Sequence, residues 1–285
     1  VRVLDRCLQR SRNFVDVVFT DHTRRAKRRA LGILNAKRKK ERTRLYRDLL
    51  KVSCKTLHYA TTAAEALEQC TTGDLFDDLA AFGLAADIRH FVGLAERVVD
   101  QTRRRVLDGE TVPAPEKIVS IFEPHTDIII KDRRDVLYGH KLCLVSGASN
   151  LVTDLVIEDG NPADSTLSVR TVERQIDVYG RPPRQIAFDG GFASKDNVVE
   201  IKALGVQDVA FSKRRGIPIT DMVRSDWVYR KLRNFRAGIE AGISLLKRCF
   251  GIGRCTWRSL ESFRAYAWAS VLAANLLTLA RHART

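Results

Sequence analysis

The chain has 285 residues, 45% of them hydrophobic, with 49 Lys and Arg against 34 Asp and Glu, a formal charge of +15. That size suits one large domain or two ordinary ones. No apolar run reaches the roughly 18 residues a membrane span needs; residues 263–280 are broken by Arg264 and Asn275, and Arg2, Asp5, Arg6 and Arg10 interrupt any secretory signal at the start.

The charge is unevenly placed. Residues 1–60 hold 18 Lys and Arg against 5 Asp and Glu, so 13 of the 15 net positive charges lie there. A local excess of this kind suits a polyanionic partner. Cys7, Cys54, Cys70, Cys143, Cys249 and Cys255 are scattered without a CxxC pair, which argues against zinc. Their pattern reads as buried free thiols in a reducing cytoplasm.

Residues 22–107 read as mostly helical. Arg24, Arg25, Lys27, Arg28 and Arg29 open a run with Leu31 and Leu34; Lys37, Arg38, Lys39 and Lys40 follow; Leu45, Leu49, Val52 and Leu57 then recur at helical spacing. Gly73 marks a break, and a further helix with Leu94 and Val98 ends before Gly109. Pro113 and Pro115 form a linker, so residues 1–112 read as a basic helical segment and 113–285 as a separate core.

Past the linker the character changes. Residues 141–145 and 151–157 are strands joined by a Ser-Gly-Ala-Ser-Asn hairpin, and Asp159-Gly160-Asn161-Pro162 is a turn. Val169, Val172, Ile176 and Tyr179 mark a helix face ended by Gly180. Residues 185–188 form a strand, Ser194 caps a helix with Val198, Ile201 and Leu204, and 206–211 form another strand. Helices near 230–249 and 259–281 follow. The order predicts an α/β core on a mixed sheet flanked by helices, with a helical segment before or inside it.

Two carboxylates stand out. Asp189 ends the strand 185–188 and runs into Gly190-Gly191, where the backbone can turn sharply and a phosphate can approach. Glu240 sits at the edge of a helical stripe of Ile239, Ile243 and Leu246, with Arg236 at i−4 and Lys247 at i+7. Each has a plainer reading: Asp189 as a turn residue beside its Gly, Glu240 as a helix ion pair with Arg236. Together, in a basic chain, they suit hard Mg²⁺ or Mn²⁺ and phosphodiester chemistry. Asp164 reads as a helix cap or a brace for the site, and Glu123, His125 and Asp127 as supporting groups or plain loop residues. Trp227 and Trp257 suit stacking on bases, whereas Trp268 suits core packing. The basic run reads as a DNA-backbone contact in preference to a solvated face.

Five stretches carry a family resemblance: residues 100–107, 120–127, 159–162, 235–240 and 273–277. With them the chain resembles the DDE transposases of bacterial insertion sequences, of the RNase H-like superfamily. The resemblance implies an RNase H-like mixed sheet, Asp189 as the second and Glu240 as the third acid of a metal-binding triad, and two Mg²⁺ (or Mn²⁺) ions. It places the first Asp on a strand before Val1, so the chain reads as an N-terminally truncated fragment; Asp21 is the alternative. It implies cleavage of transposon ends and strand transfer into target DNA, by a homo-oligomer. The basic residues and Lys247 would hold DNA. The chain departs from the pattern at Gly190, at Lys213-Arg214-Arg215-Gly216 and at Ala241. A nuclease of the same fold and a non-catalytic DNA-binding relic remain as alternatives.

Overall fold

A computed structural model describes residues 1–131 and 135–283. The chain divides into two compact units, Val1–Thr126 and Asp127–Thr285.

The first unit is helical. It contains α1 (Arg2–Ser11), α2 (Thr23–Asn35), α3 (Lys39–Glu68) and α4 (Leu75–Arg103). Alanines let α3 and α4 lie close together: Ala60 and Ala64 of α3 share a core with Ala81 and Ala85 of α4, filled in by Leu57, Leu67, Leu84 and Ile88. Leu4 and Cys7 of α1 pack onto that pair. Gly73 takes φ +85 before α4, and Asp74 caps the helix by accepting from the N–H groups of Phe76 and Asp77. The end of α4 widens into a π turn, Arg104–Asp108, closed by Gly109 at φ +76. Arg104 then ties this turn to Glu110 and Glu116 beyond it.

The second unit mixes strands and helices. Strands β1 (Asp127–Lys131) and β2 (Asp135–Gly139) pair antiparallel, as do β3 (Leu142–Ser146) and β4 (Val152–Ile157). Helix α5 (Ser168–Tyr179) follows and stops at Gly180, φ +69. Strand β5 (Gln185–Phe188), helix α6 (Lys195–Ala203) and β6 (Asp208–Phe211) form a parallel β-α-β unit. Helices α7 (Ile219–Met222), α8 (Asp226–Cys249) and α9 (Leu260–His282) complete the unit. Its main core packs Phe188, Val209, Phe211, Val172, Ile201 and Leu232 together. A second core sets Leu155 of β4 against Leu246, Ala267 and Val271 of α8 and α9. Asn275, the polar break in the last apolar helix, donates to the Val152 carbonyl at 2.8 Å and accepts from its N–H at 2.9 Å, which fastens α9 to β4.

The mixed α/β composition matches the expectation. Among the described residues, however, the strands form three separate two-stranded ladders and no ladder joins β3 to β5. Other local expectations change. Ser194 stands at the start of α6, but its side chain makes no capping hydrogen bond. The six free thiols are not uniformly buried: Cys7 is, whereas Cys54 and Cys249 are exposed. Trp268 is 46% exposed, on one side of α9 with exposed Leu272, Leu276 and Leu279, so core packing does not account for it. Among the described residues no helix is long and apolar enough to cross a membrane.

Candidate active site

Asp189 follows the last residue of β5 and precedes a 3₁₀ turn, Gly190–Phe192. One carboxylate oxygen, Oδ1, accepts from the Gly190 N–H at 2.6 Å and from the Ser212 hydroxyl at 2.8 Å. The other, Oδ2, lies 3.1 Å from the Arg236 guanidinium. The same guanidinium donates to Glu240 Oε1 at 2.8 Å, one turn along α8. Arg236 therefore joins a strand-end carboxylate to a helix carboxylate. Both plain sequence readings are realised as well, since Asp189 does bond its following glycine and Glu240 does pair with Arg236.

Arg236 is the more enclosed partner, 18% exposed by side chain, against 54% for Asp189 and 61% for Glu240. Partial burial pushes the Asp189 carboxyl up, but hydrogen bonds from Ser212 and the Gly190 N–H, with the charges of Arg236 and Lys213, outweigh it and hold the pKa below the usual carboxylate range. Asp189 is thus ionised at neutral pH and is oriented by fixed donors.

The two glycines after Asp189 are required by close neighbours. A Cβ on Gly190 would lie 2.6 Å from the Lys213 Cβ, and one on Gly191 would lie 2.2 Å from Asp164 Oδ2. Asp164 does not cap α5 through its side chain. Its carboxylate is held by Lys141 Nζ at 2.5 Å, while Lys141 also donates to the Pro162 carbonyl at 2.6 Å. Asn197 closes the arrangement by donating to the carbonyls of Ser165 at 2.7 Å and Phe192 at 3.0 Å. Asp164 thereby braces the turn that carries Asp189. Gly191→Ala is expected to push the Asp164 carboxylate off Lys141 and to cost about 1–3 kcal/mol, the range for overpacking. Urea unfolding of the two proteins measures it, and an unchanged midpoint would show that the turn relaxes freely.

Asp164, Asp189 and Glu240 all line one cleft of about 710 Å³, bounded by β3, β5, α5 and α8. Lys247 lies two turns beyond Glu240 on α8, exposed, beside Gly253 and outside the cleft lining. Glu123 contacts His125 at 2.7 Å, and Asp127 contacts His140 at 3.1 Å. Trp227 is 62% exposed with Lys231 over its ring, and Trp257 packs edge-on against Tyr266.

The basic run belongs to the first unit. Arg24, Arg25, Lys27, Arg28 and Arg29 lie on α2, which buries no residue. Arg25 and Arg29 both pair with Asp48 of α3. Lys37 and Arg38 form the link to α3, and Lys39 and Lys40 open it; all four are exposed. Arg44 and Arg47, which lie outside the densest basic clusters of the sequence, extend the exposed basic face along α3. Asp21 accepts from the Thr23 N–H at 2.8 Å, a local bond at the start of α2.

A protein-family model described as a transposase DDE domain matches residues 100–276. The chain belongs to the transposase DDE domain family. The match begins within α4, contains Asp164, Asp189, Arg236, Glu240 and Lys247, and leaves the basic run of residues 24–40 outside it. Comparisons with curated proteins and with solved structures give no match. Sequence reasoning did not foresee Ser212, Lys141 or the link from Arg236 to Asp189. None of the three had a trace in sequence; the i−4 spacing of Arg236 reports only its pairing with Glu240.

Proposed function

We propose that this chain is a transposase that cleaves DNA and transfers strands, with Asp189 and Glu240 as ligands for divalent cations. The observation that carries the reading is the convergence of these two carboxylates on Arg236. Both are hard oxygen donors, and Mg²⁺ is commonly held by one or two carboxylates together with substrate phosphates. Among the described residues no group of three or more His, Cys, Asp or Glu is placed to hold a metal, so these two would share the ion with phosphate oxygens. A divalent cation supplies Lewis-acid activation of the attacking oxygen and charge relief at the leaving oxygen.

The chain's own groups have distinct parts in this reading. Ser212 and the Gly190 N–H fix the Asp189 carboxylate. Arg236 holds the two acids together and offers a cation to phosphate. Gly190-Gly191 keeps the approach to Asp189 low. The core, residues 113–285, would carry the RNase H-like chemistry, and residues 1–112 would hold transposon-end and target DNA within a homo-oligomer. Asp21, the alternative for the first acid of the triad, accepts from the Thr23 N–H at the start of α2. Arg236 is also the observation that favours a non-catalytic, DNA-binding reading, because it neutralises both acids.

The deciding experiment is Mg²⁺- or Mn²⁺-dependent DNA cleavage by the protein and by its Glu240→Gln variant. Loss of cleavage in the variant is expected, and undiminished cleavage would sink the metal-ligand role. For the basic run, replacing Lys37, Arg38, Lys39 and Lys40 with Ala should weaken DNA binding across sequences. The slope of log K against log salt should flatten by up to about 0.9 for each phosphate that the variant no longer neutralises. The same change at Arg25 and Arg29 should do less, since Asp48 already engages both. An unaltered slope in the first variant would make that run a solvated face only.

A further inference from the structure

Charge in the first unit is polarised along α3. Residues 24–47 hold 12 Lys and Arg against one acid, Glu41, whereas residues 56–88 hold six Asp and Glu and no Lys or Arg. Arg25 and Arg29 pair with Asp48, which sets the basic α2 beside the first half of α3. Only residues 69–74 separate α3 from α4, so α4 starts at the opposite end of α3. Between Asp48 and Glu68 the helix rises about 30 Å. The basic and acidic ends of one molecule are therefore kept apart. Each end also shows apolar groups to solvent. On α4, Leu75, Phe76, Leu79 and Phe82 are all more than half exposed, on the side opposite the buried Leu84 and Ile88. Four large apolar side chains within about two turns form a patch, unlike the single exposed residues normal on a monomer. On α2, Leu31 and Leu34 are exposed on the side that carries Arg24, Lys27 and Arg28, while Arg25 and Arg29 reach the other way to Asp48.

We infer that these two faces are the halves of one self-complementary interface: the acidic, apolar face at the start of α4 docks on the basic, apolar outer face of α2 in a second copy of this chain. A two-fold axis makes the contact twice, α4 on the partner's α2 and α2 on the partner's α4, and closes the assembly as a dimer. The second copy is the occupant because the same chain supplies the charge and the apolar surface that each face calls for. Phe76 and Phe82 are aromatic groups of the kind that fill interface cores. Asp74, Asp77 and Asp87 stand around them, all exposed, and meet Arg24, Lys27 and Arg28. Opposite charges across an interface fix its orientation and steer the encounter. Two copies laid side by side in the same sense would set basic end against basic end, so charge selects the antiparallel pairing.

The inference rests on the transposase reading only in giving a surface to its homo-oligomer. It uses neither metal nor DNA, so DNA cleavage can fail while the dimer stands, and the reverse. DNA would compete for Arg24, Lys27 and Arg28, so the test is sedimentation velocity of the DNA-free full chain. A dimer is expected at micromolar concentration, with a Kd that rises with salt. The double change Leu79→Lys, Phe82→Lys should raise that Kd by about tenfold or more; both side chains are exposed, so circular dichroism should stay unchanged. Arg24→Glu with Arg28→Glu, and Asp77→Arg with Asp87→Arg, should each weaken self-association by about tenfold. An equimolar mixture of those two variants should associate again, because every altered face then meets its opposite. A chain still monomeric at millimolar concentration, a dimer untouched by the Leu79 and Phe82 changes, or a mixture that stays monomeric would overturn the interface. A dimer lost with the α4 changes but kept in Arg24→Glu, Arg28→Glu would seat α4 on a surface other than α2 and overturn it equally.

Discussion

Asp208→Ala should lower the unfolding free energy by about 2–4 kcal/mol, enough to remove much of an ordinary domain's margin. Asp208 opens β6 with its side chain 1% exposed. It accepts from Gln185 Nε2 at 2.8 Å, which couples β6 to β5, and from the Arg224 N–H at 3.0 Å, which couples it to the segment before α8. Arg224 Nε lies 3.7 Å away and is half exposed, so water can recover that charge after the truncation. The Gln185 amide and the Arg224 N–H lose their acceptor, and each such group left unsatisfied costs about 1–3 kcal/mol. Asp208→Asn keeps an acceptor oxygen and should cost less.

The pH dependence gives this prediction its sign. Burial pushes the Asp208 carboxyl up, but the Gln185 and Arg224 hydrogen bonds and the charges of Arg224 and Lys202 outweigh it, leaving the pKa below the ordinary range. A depressed folded pKa means the stabilisation is present above the unfolded value, about 4, and is lost as pH falls through the folded value. The stability gap between the protein and Asp208→Ala should therefore be full at neutral pH and shrink below about pH 4. Urea unfolding across that window measures it. A gap that stays constant would mean that packing, not charge, is what the substitution removes.

What is legible in the sequence depends on range. Gly109 and Gly180 end helices at positive φ, and the Ser-Gly-Ala-Ser-Asn turn sits between β3 and β4. These features are set by a few neighbouring residues, so periodicity and turn chemistry suffice to find them. The β1–β2 hairpin is missed because Asp-Ile-Ile-Ile-Lys runs into charged residues with no Gly or Pro to mark a turn. Helix α9 reads as buried from its composition, yet Trp268, Leu272 and Leu276 face outward, because only one side of it meets β4 and α8. At the site, both acids and the Arg236–Glu240 spacing along one helix are visible in the residue order. The approach of Asp189 to Arg236 and of Asp164 to Gly191 is not, since no pattern in one chain reports which side chains meet across elements. That β3 and β5 share no ladder is illegible for the same reason.

Removing Arg236 and removing Glu240 should act in opposite directions on divalent binding. The guanidinium lies 3.1 Å from Asp189 and 2.8 Å from Glu240, where it serves as the counter-charge for both. A divalent cation must displace it or share the carboxylates with it. Arg236→Ala leaves two carboxylates without that counter-charge, so Mn²⁺ affinity should rise by about tenfold, equivalent to about 1.4 kcal/mol. That figure is modest because both acids are more than half exposed and water screens them. Glu240→Gln removes one of two anionic ligands and should lower affinity by about tenfold or more, with Asp189 alone remaining. The two variants should also differ with acid. Arg236 helps to hold the Asp189 pKa down, so without it Asp189 takes up its proton at higher pH, and Mn²⁺ binding by Arg236→Ala should fade sooner as pH is lowered. Calorimetric Mn²⁺ titrations of the three proteins at neutral and mildly acid pH test the scheme. If Arg236→Ala weakens Mn²⁺ binding as Glu240→Gln does, the arginine is a structural clamp without which the acids separate. If neither change moves the affinity, the ions bind elsewhere, and Asp189 and Glu240 are joined to Arg236 for stability alone.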